Sequence, residues 1–119
     1  LQMAILFITH DIGVVADIAQ DVIVMYAGRI VEQGSVDTVL REPRHPYTRA
    51  LLKSIPVLGE RRRALEVIGG QPPNLLRLPP GCAFAPRCAF VTDACRAAMP
   101  ELRTVAPGHD IRCILEVTP

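Results

Sequence analysis

The chain has 119 residues, of which half are hydrophobic and 21% are charged. This length permits one modest core or two small units that share one, and the apolar content argues against wholesale disorder. A formal net charge of +1 is far from the strongly basic balance of nucleic-acid-binding domains, so no nucleic-acid partner is expected. The longest apolar run, Met3–Ile8, is too short for a membrane span of about 20 residues.

This apolar run ends abruptly at the polar residues Thr9-His10-Asp11. Continuous apolarity is typical of a strand that is buried on both faces in a parallel sheet. Asp11 can cap a helix, and apolar residues recur at helical spacing after it. We therefore predict a strand, a polar corner and a helix. His10 would lie beyond the carboxyl end of the strand, where ligands bind in open α/β sheets, although a polar residue can also end a strand for structural reasons alone.

Two β-type runs follow, Val22–Tyr26 and Arg29–Gln33. Ala27-Gly28 between them can supply the positive φ angles of a tight hairpin turn, so a hairpin is predicted. The remaining expected elements are a helix from Ser35 through Leu40, a helix that begins at Pro46 and ends before Pro56, a strand at Leu65–Ile68, a helix near Asp93–Met99 and a strand near Ile111–Glu116.

Proline usage divides the chain into two parts. Nine of the eleven prolines lie from Pro56 onward, and we place a boundary near residues 56–64. Residues 1–55 are predicted to be α/β, with the first strand, the hairpin and the helix that starts at Pro46. Residues 56–119 are predicted to form a small, irregular extension that contains all four cysteines.

The order and spacing of Ala4–Asp11, the following helix and Val24–Gly34 closely resemble the end of an ABC-transporter nucleotide-binding domain. The resemblance implies an α/β fold, namely the C-terminal part of a P-loop ABC domain. It also implies that His10 is the switch histidine, a catalytic residue that contacts the γ-phosphate of ATP and communicates with the opposite subunit.

Other parts of the ATP-hydrolysing machinery do not occur in this sequence. It contains no G-x-x-x-x-G-K-[ST] loop, whose amides and lysine cradle phosphates. The resemblance implies that this loop, the family signature, the Walker B aspartate and the catalytic glutamate would lie upstream of Leu1. ATP and Mg²⁺ are therefore expected in a longer parent protein, and this chain alone is not expected to bind ATP well or to hydrolyse it.

The segment Pro43–Leu52 narrows the resemblance. Its residues alone predict an amphipathic helix with a proline start, in which His45 caps or packs. The H-P-Y-T sequence is similar to that of the oligopeptide, dipeptide and nickel importer ATPases. This similarity implies a subunit at the cytoplasmic face of the cell membrane, with transmembrane permease subunits and a second ATPase subunit as partners.

Cys82, Cys88, Cys95 and Cys113 are spaced C-x5-C-x6-C-x17-C and are the chain's only cysteines. Disulfides are rare in cytosolic proteins, and zinc sites usually contain C-x2–4-C pairs. An iron–sulfur cluster also takes four thiolates, but the spacing matches neither common ferredoxin pattern. Spacing therefore leaves bare or disulfide-linked thiols, zinc and a cluster open.

Residues around the cysteines also resemble the C-terminal region of the importer family, in the stretch Gly81–Cys88 and in Gly108-His109 before Cys113. Some family members hold a [4Fe–4S] cluster on this cysteine set, so the resemblance favours a cluster on all four cysteines over zinc. His109 could replace one ligand, but a capping or surface role is the preferred expectation.

A second hypothesis assigns the chain to a different class, an autonomous metal-binding or protein-interaction domain without ATPase activity. Under either hypothesis the Met3–Ile8 strand expects neighbours that would cover it. Exposed strand edges pair with other chains, so self-association is predicted.

Overall fold

The computed structural model describes residues 3–55 and 67–115. Within these ranges the chain forms short helices and a four-stranded sheet. The predicted boundary at residues 56–64, the start of the predicted strand Leu65–Ile68 and the end of the predicted strand Ile111–Glu116 lie outside the described residues. In chain order the elements are α1 (Ile12–Ile18), β1 (Asp21–Tyr26), β2 (Arg29–Ser35), α2 (Val36–Arg41), α3 (Pro46–Lys53), a 3-10 turn (Ala85–Arg87), α4 (Asp93–Ala97), β3 (Arg103–Ala106) and β4 (His109–Ile111).

The first two strands form the predicted β-hairpin. β1 and β2 are antiparallel, and Tyr26 lies opposite Arg29 at the turn. The connecting residues Ala27 and Gly28 have φ angles of 50° and 78°. Two successive left-handed residues are what a two-residue hairpin turn requires, because its twist then matches that of the strands.

The cysteine-containing part of the chain, residues 67–115 of the described structure and called the tail below, completes the sheet. β4 pairs with β2, and β3 pairs with β4, so the order is β1-β2-β4-β3 and every pairing is antiparallel. A strand was predicted near Ile111–Glu116, but β4 spans His109–Ile111, shares only Ile111 with that range, and is followed by irregular structure through residue 115. β3 was not predicted, because a four-residue strand shows too little alternation to be distinguished from a loop.

The apolar run Met3–Ile8 does not form the predicted buried parallel strand. Its residues have no regular secondary structure and are exposed, with Leu6 at 85% and Ile8 at 89%. A strand requires backbone partners on its edges, and all sheet pairings in the described residues are made by β1 to β4. The prediction therefore fails for this chain, since none of those strands bonds to the run.

The predicted helices are present. α4 lies within the expected range of Asp93–Met99. Among the described residues, no helix is long and apolar enough to cross a membrane. At the first three helices, a side chain that precedes the helix accepts a backbone N–H: Asp11 from Val14 at 3.3 Å, Ser35 from Thr38 at 3.2 Å and His45 from Tyr47 at 3.0 Å.

The core contains residues from both sides of the predicted boundary. Ala83 and Phe84, from the cysteine-containing part, are buried in one cluster with hairpin residues. The ring centroids of Tyr26 and Phe84 are 5.2 Å apart in an edge-to-face arrangement, and Tyr47 lies 4.7 Å from Tyr26. The few aromatic residues thus join an otherwise aliphatic core and hold the tail against the hairpin.

Candidate functional site

The four cysteines surround one recess. Cys82 precedes the 3-10 turn, Cys88 follows it, Cys95 lies in α4 and Cys113 follows β4. The space inside it that a water molecule can occupy is small, about 10 Å³, which is room for about one water. The other residues that line it are mostly apolar: His45, Pro46, Phe84, Ala85, Pro100, Ile114 and Leu115.

A close backbone approach brings two of these cysteines together. The Cys82 N–H donates to the Cys95 carbonyl at 2.8 Å. At Gly81, an added Cβ would lie 2.2 Å from that carbonyl oxygen, which no side chain tolerates. Gly81 is therefore needed for the loop before Cys82 to pack against α4.

Backbone N–H groups point at the cysteine sulfurs. Such bonds favour the thiolate, which is the metal-binding form, and they are one of the factors that set the potential of iron–sulfur centres. The backbone donors and their Sγ acceptors are Phe90 to Cys88 at 3.4 Å, Thr92 to Cys95 at 3.5 Å and Leu115 to Cys113 at 3.4 Å.

The thiols are free, and no disulfide joins them. Burial raises the pKa of Cys82, Cys88 and Cys113, although backbone N–H bonds oppose this effect. These three thiols are therefore protonated at neutral pH in the metal-free chain. Any metal that binds here must displace those protons, so its binding would release acid.

A single metal ion has no preformed site in the described ranges. No group of three or more His, Cys, Asp or Glu side chains there is arranged to hold one ion. Tetrahedral zinc would bring four sulfurs to within about 4 Å of one another, given Zn–S distances of roughly 2.3 Å. An iron–sulfur cluster takes one cysteine per iron and so spans a larger distance. The four thiols are soft ligands around one recess, but within the described residues they are not arranged as a ready metal site.

His45 is a further residue of the recess. Its Nδ1 accepts the Tyr47 N–H at 3.0 Å. His45 therefore caps α3, as the sequence analysis predicted. Its Nε2 is buried and has no hydrogen-bond partner in the described structure. Burial lowers the pKa of the imidazole from 6.5 to about 4, while the nearby Glu32 charge opposes this shift. The ring is therefore neutral at pH 7 and carries its proton on Nε2.

A buried carboxylate, which the sequence analysis missed, joins the hairpin to the tail. Glu32 in β2 has no exposed surface. Its oxygens accept the Arg44 N–H at 2.8 Å and the His45 N–H at 3.0 Å, and one lies 2.6 Å from His109 Nε2. His109 is only 1% exposed, so the expected capping or surface role was wrong. The sequence carries no signal for this pair, because β2 also contains the polar residues Arg29, Gln33 and Ser35 and Glu32 does not stand out among them.

The predicted switch histidine lies elsewhere. His10 is exposed and is not among the residues that line the cysteine recess. It directly precedes Asp11, the cap of α1, whose own N–H donates to Thr9 Oγ1 at 3.0 Å. The side-chain hydrogen bonds of Thr9 and Asp11 are thus with residues two or three positions away in the chain.

Sequence comparisons identify the family. The family model described as "Oligopeptide/dipeptide transporter, C-terminal region" matches residues 31–95, which is more than half of the chain. The chain belongs to this family. The matched range includes Glu32, His45 and three of the four cysteines, and it ends at Cys95.

Known proteins of this family match more than nine tenths of the chain. A provisionally named peptide import ATP-binding protein of Brucella ovis is 56% identical over 94% of the chain and 35% of its own length. The oligopeptide transport ATP-binding protein AppD of Bacillus subtilis is 49% identical over 94% of the chain and 34% of its own length. The dipeptide transport ATP-binding protein DppD of Haemophilus influenzae is 42% identical over 93% and 33%. The chain thus spans about a third of the length of these relatives.

Proposed function

We propose that this chain is the C-terminal part of the ATP-hydrolysing subunit of a peptide-type ABC importer. The observation that carries the proposal is the match of over nine tenths of the chain to proteins named for ATP binding and peptide transport. The expected partners are transmembrane permease subunits and a second ATPase subunit, and the expected location is the cytoplasmic face of the membrane. ATP and Mg²⁺ would be bound mainly by parts of the longer protein.

In this proposal His10 acts at the γ-phosphate. A neutral imidazole can donate one hydrogen bond to a phosphate oxygen and so stabilise charge that develops during hydrolysis. Exposure of His10 in this chain is consistent with that role, because a group that meets a nucleotide must be accessible. The Met3–Ile8 run would gain its strand partners from the rest of such a domain.

A chimeric enzyme tests the role of His10. Residues 1–119 replace the matching segment of the Bacillus subtilis protein AppD, and ATP hydrolysis is measured with and without His10→Ala. We expect turnover to fall by about 100-fold, the usual scale for a positioned proton-transfer or hydrogen-bonding group. Gln20→Ala, an exposed change just after α1, is the control and should leave turnover unchanged. Equal turnover of the His10→Ala and control chimeras would reject the assignment.

We further propose that Cys82, Cys88, Cys95 and Cys113 hold a [4Fe–4S] cluster. Support comes from four free thiols around one recess, from apolar lining and from backbone N–H groups directed at the sulfurs. A bound cluster would supply a covalent cross-link and a one-electron store. The chain's own residues supply the thiolates and exclude water from around them.

Metal analysis tests the cluster. The chain is purified without oxygen, supplied with ferrous iron and sulfide, and analysed for iron, zinc and sulfide. We expect about four irons per chain and absorption at roughly 400 nm. Cys95→Ser should lower the bound iron strongly, whereas Leu76→Ser should not, because Leu76 is 94% exposed and outside the recess. Zinc at one equivalent with no sulfide would contradict a cluster.

The second candidate function is an autonomous metal-binding or interaction domain. It is favoured by the sheet and the buried core cluster that the two parts of the chain share. Stoichiometric metal binding together with an inactive wild-type chimera would support it over the ATPase subunit.

A further inference from the structure

His45 has one ring nitrogen engaged and one left without a partner. Nδ1 accepts the Tyr47 N–H, which leaves the proton on Nε2. That Nε2–H is buried without a hydrogen bond, in a side chain that is only 1% exposed. The Arg112 backbone lies close enough to raise the pKa of the His45 ring, but it does not form a hydrogen bond of good geometry with Nε2. An unsatisfied buried donor of this kind destabilises the folded chain.

The same ring forms part of the wall of the cysteine recess. The other residues of the wall, apart from the cysteines, are apolar and offer no side-chain acceptor. Among the described residues, the only other acceptor indicated for the ring is the Arg112 backbone, so a ligand that fills the recess could offer the Nε2–H a better-aligned acceptor. Electron-rich sulfur is the acceptor that a thiolate-held cluster would present there.

We propose that His45 Nε2–H donates a hydrogen bond to a sulfur atom of the cluster held by the four cysteines. This inference rests on the proposed cluster. It would make His45 a direct link between α3, which Nδ1 caps, and the cluster, while the His45 N–H donates to Glu32 of β2. A hydrogen bond to cluster sulfur stabilises the reduced, more negative state and therefore raises the reduction potential.

Two substitutions separate the two nitrogens of His45. His45→Asn keeps an acceptor near the Nδ1 position, so the α3 cap survives, but it has no donor at the Nε2 position. His45→Gln places an amide N–H at about the Nε2 position and loses the cap. A structural role in capping predicts damage from Gln, whereas donation to the cluster predicts damage from Asn.

The experiment uses the iron- and sulfide-loaded chain. Reduction potentials are measured by dithionite titration with mediators, and iron loss to a chelator is followed at the same time. We expect His45→Asn to shift the potential to more negative values and to accelerate iron release, while His45→Gln stays close to wild type in potential. Unchanged potential and release in His45→Asn would overturn the inference and leave the cluster proposal standing.

A measurement on the wild-type chain removes any dependence on variant folding. With ¹⁵N-labelled histidine, pulsed electron paramagnetic resonance of the reduced cluster should detect a coupled imidazole nitrogen. Neither His10 nor His109 lines the recess, so the expected signal is that of His45. Absence of nitrogen coupling in a loaded cluster would reject the hydrogen bond. A wild-type chain that takes up no iron would reject both the cluster and this inference.

Discussion

At the scale of single residues, a buried carboxylate determines how the tail joins the hairpin. Glu32 accepts hydrogen bonds from two backbone amides of the segment before α3 and contacts His109 of β4. These partners lie 12 to 77 residues away in sequence. Buried carboxylates are tolerated only when their oxygens are satisfied in this way.

Glu32→Gln tests this arrangement. The substitution removes the negative charge and places an amide N–H₂ where an acceptor is needed, so at least one buried donor loses its partner. We expect the free energy of unfolding to fall by about 3 kcal/mol. Urea unfolding followed by circular dichroism measures it. The exposed control Glu101→Gln should change stability by less than about 0.5 kcal/mol, and equal effects of the two variants would contradict the role of Glu32.

A second residue-scale prediction concerns pH. The folded-state pKa of His45 is about 4 and the ordinary value is 6.5, so between these pH values the unfolded chain binds a proton that the folded chain does not. The contribution of the neutral His45 ring to the stability of the folded chain is therefore fully present above pH 6.5 and is lost as the pH falls toward 4. From pH 7 to pH 5 the metal-free chain should lose about 2 kcal/mol through this group. Urea midpoints of the wild type and His45→Asn measure it, and an equal loss in both would show that His45 is not responsible.

Residue-level prediction from sequence succeeded where chemistry is local. The caps Asp11 and Ser35 were predictable because the capping side chain and the backbone N–H that donates to it are three residues apart. The grouping of the cysteines was predictable because four soft ligands within 32 residues indicate one site. The burial of His109 was not, because it depends on a strand pairing with Glu32 across 77 residues.

At the scale of elements, tight turns are formed by residues with positive φ. Gly28 and Gly108 have φ angles of 78° and 68° and join β1 to β2 and β3 to β4. The first of these turns was predicted from Ala27-Gly28, while the second was not, because β3 was too short to recognise. Gly81 has a different role, since it allows close backbone approach to Cys95.

Matched glycine substitutions test the turn argument. An added Cβ at Gly28 meets no atom within 4 Å, so Gly28→Ala can act only through its left-handed backbone. We expect a loss of about 1 kcal/mol in unfolding free energy. Gly69→Ala also meets no atom, but its φ is not in the left-handed range, so it should be close to neutral. Thermal unfolding compares the two, and equal stabilities would show that backbone strain at the turn is negligible.

At the scale of the whole molecule, the two predicted parts share one sheet and one core. Sequence composition placed a boundary near residues 56–64, where prolines begin to accumulate. Pairing of β2 with β4 and burial of Phe84 beside Tyr26 join the two sides. Composition could not reveal this, because strand pairing depends on which distant segments meet. The apolar run Met3–Ile8 shows the converse, since a strong local strand signal has no strand partner within residues 3–55 and 67–115.

That run gives the last prediction. Met3, Leu6 and Ile8 are each more than three quarters exposed in one continuous segment of high β propensity. Such a segment pairs with a second copy when nothing in its own chain covers it. Light scattering at micromolar concentration should therefore show a dimer or a larger species. A double substitution, Leu6→Glu with Ile8→Glu, should shift the population toward monomer.

The control for this experiment changes exposed apolar residues elsewhere. Leu75 and Leu76 are 67% and 94% exposed but lie outside the Met3–Ile8 run. Leu75→Glu with Leu76→Glu adds the same charge, so general solubility effects cancel in the comparison. If both pairs disperse the assembly equally, association is driven by general surface hydrophobicity. A wild-type chain that is monomeric throughout would show that exposure of this run is too weak a force to hold two copies together.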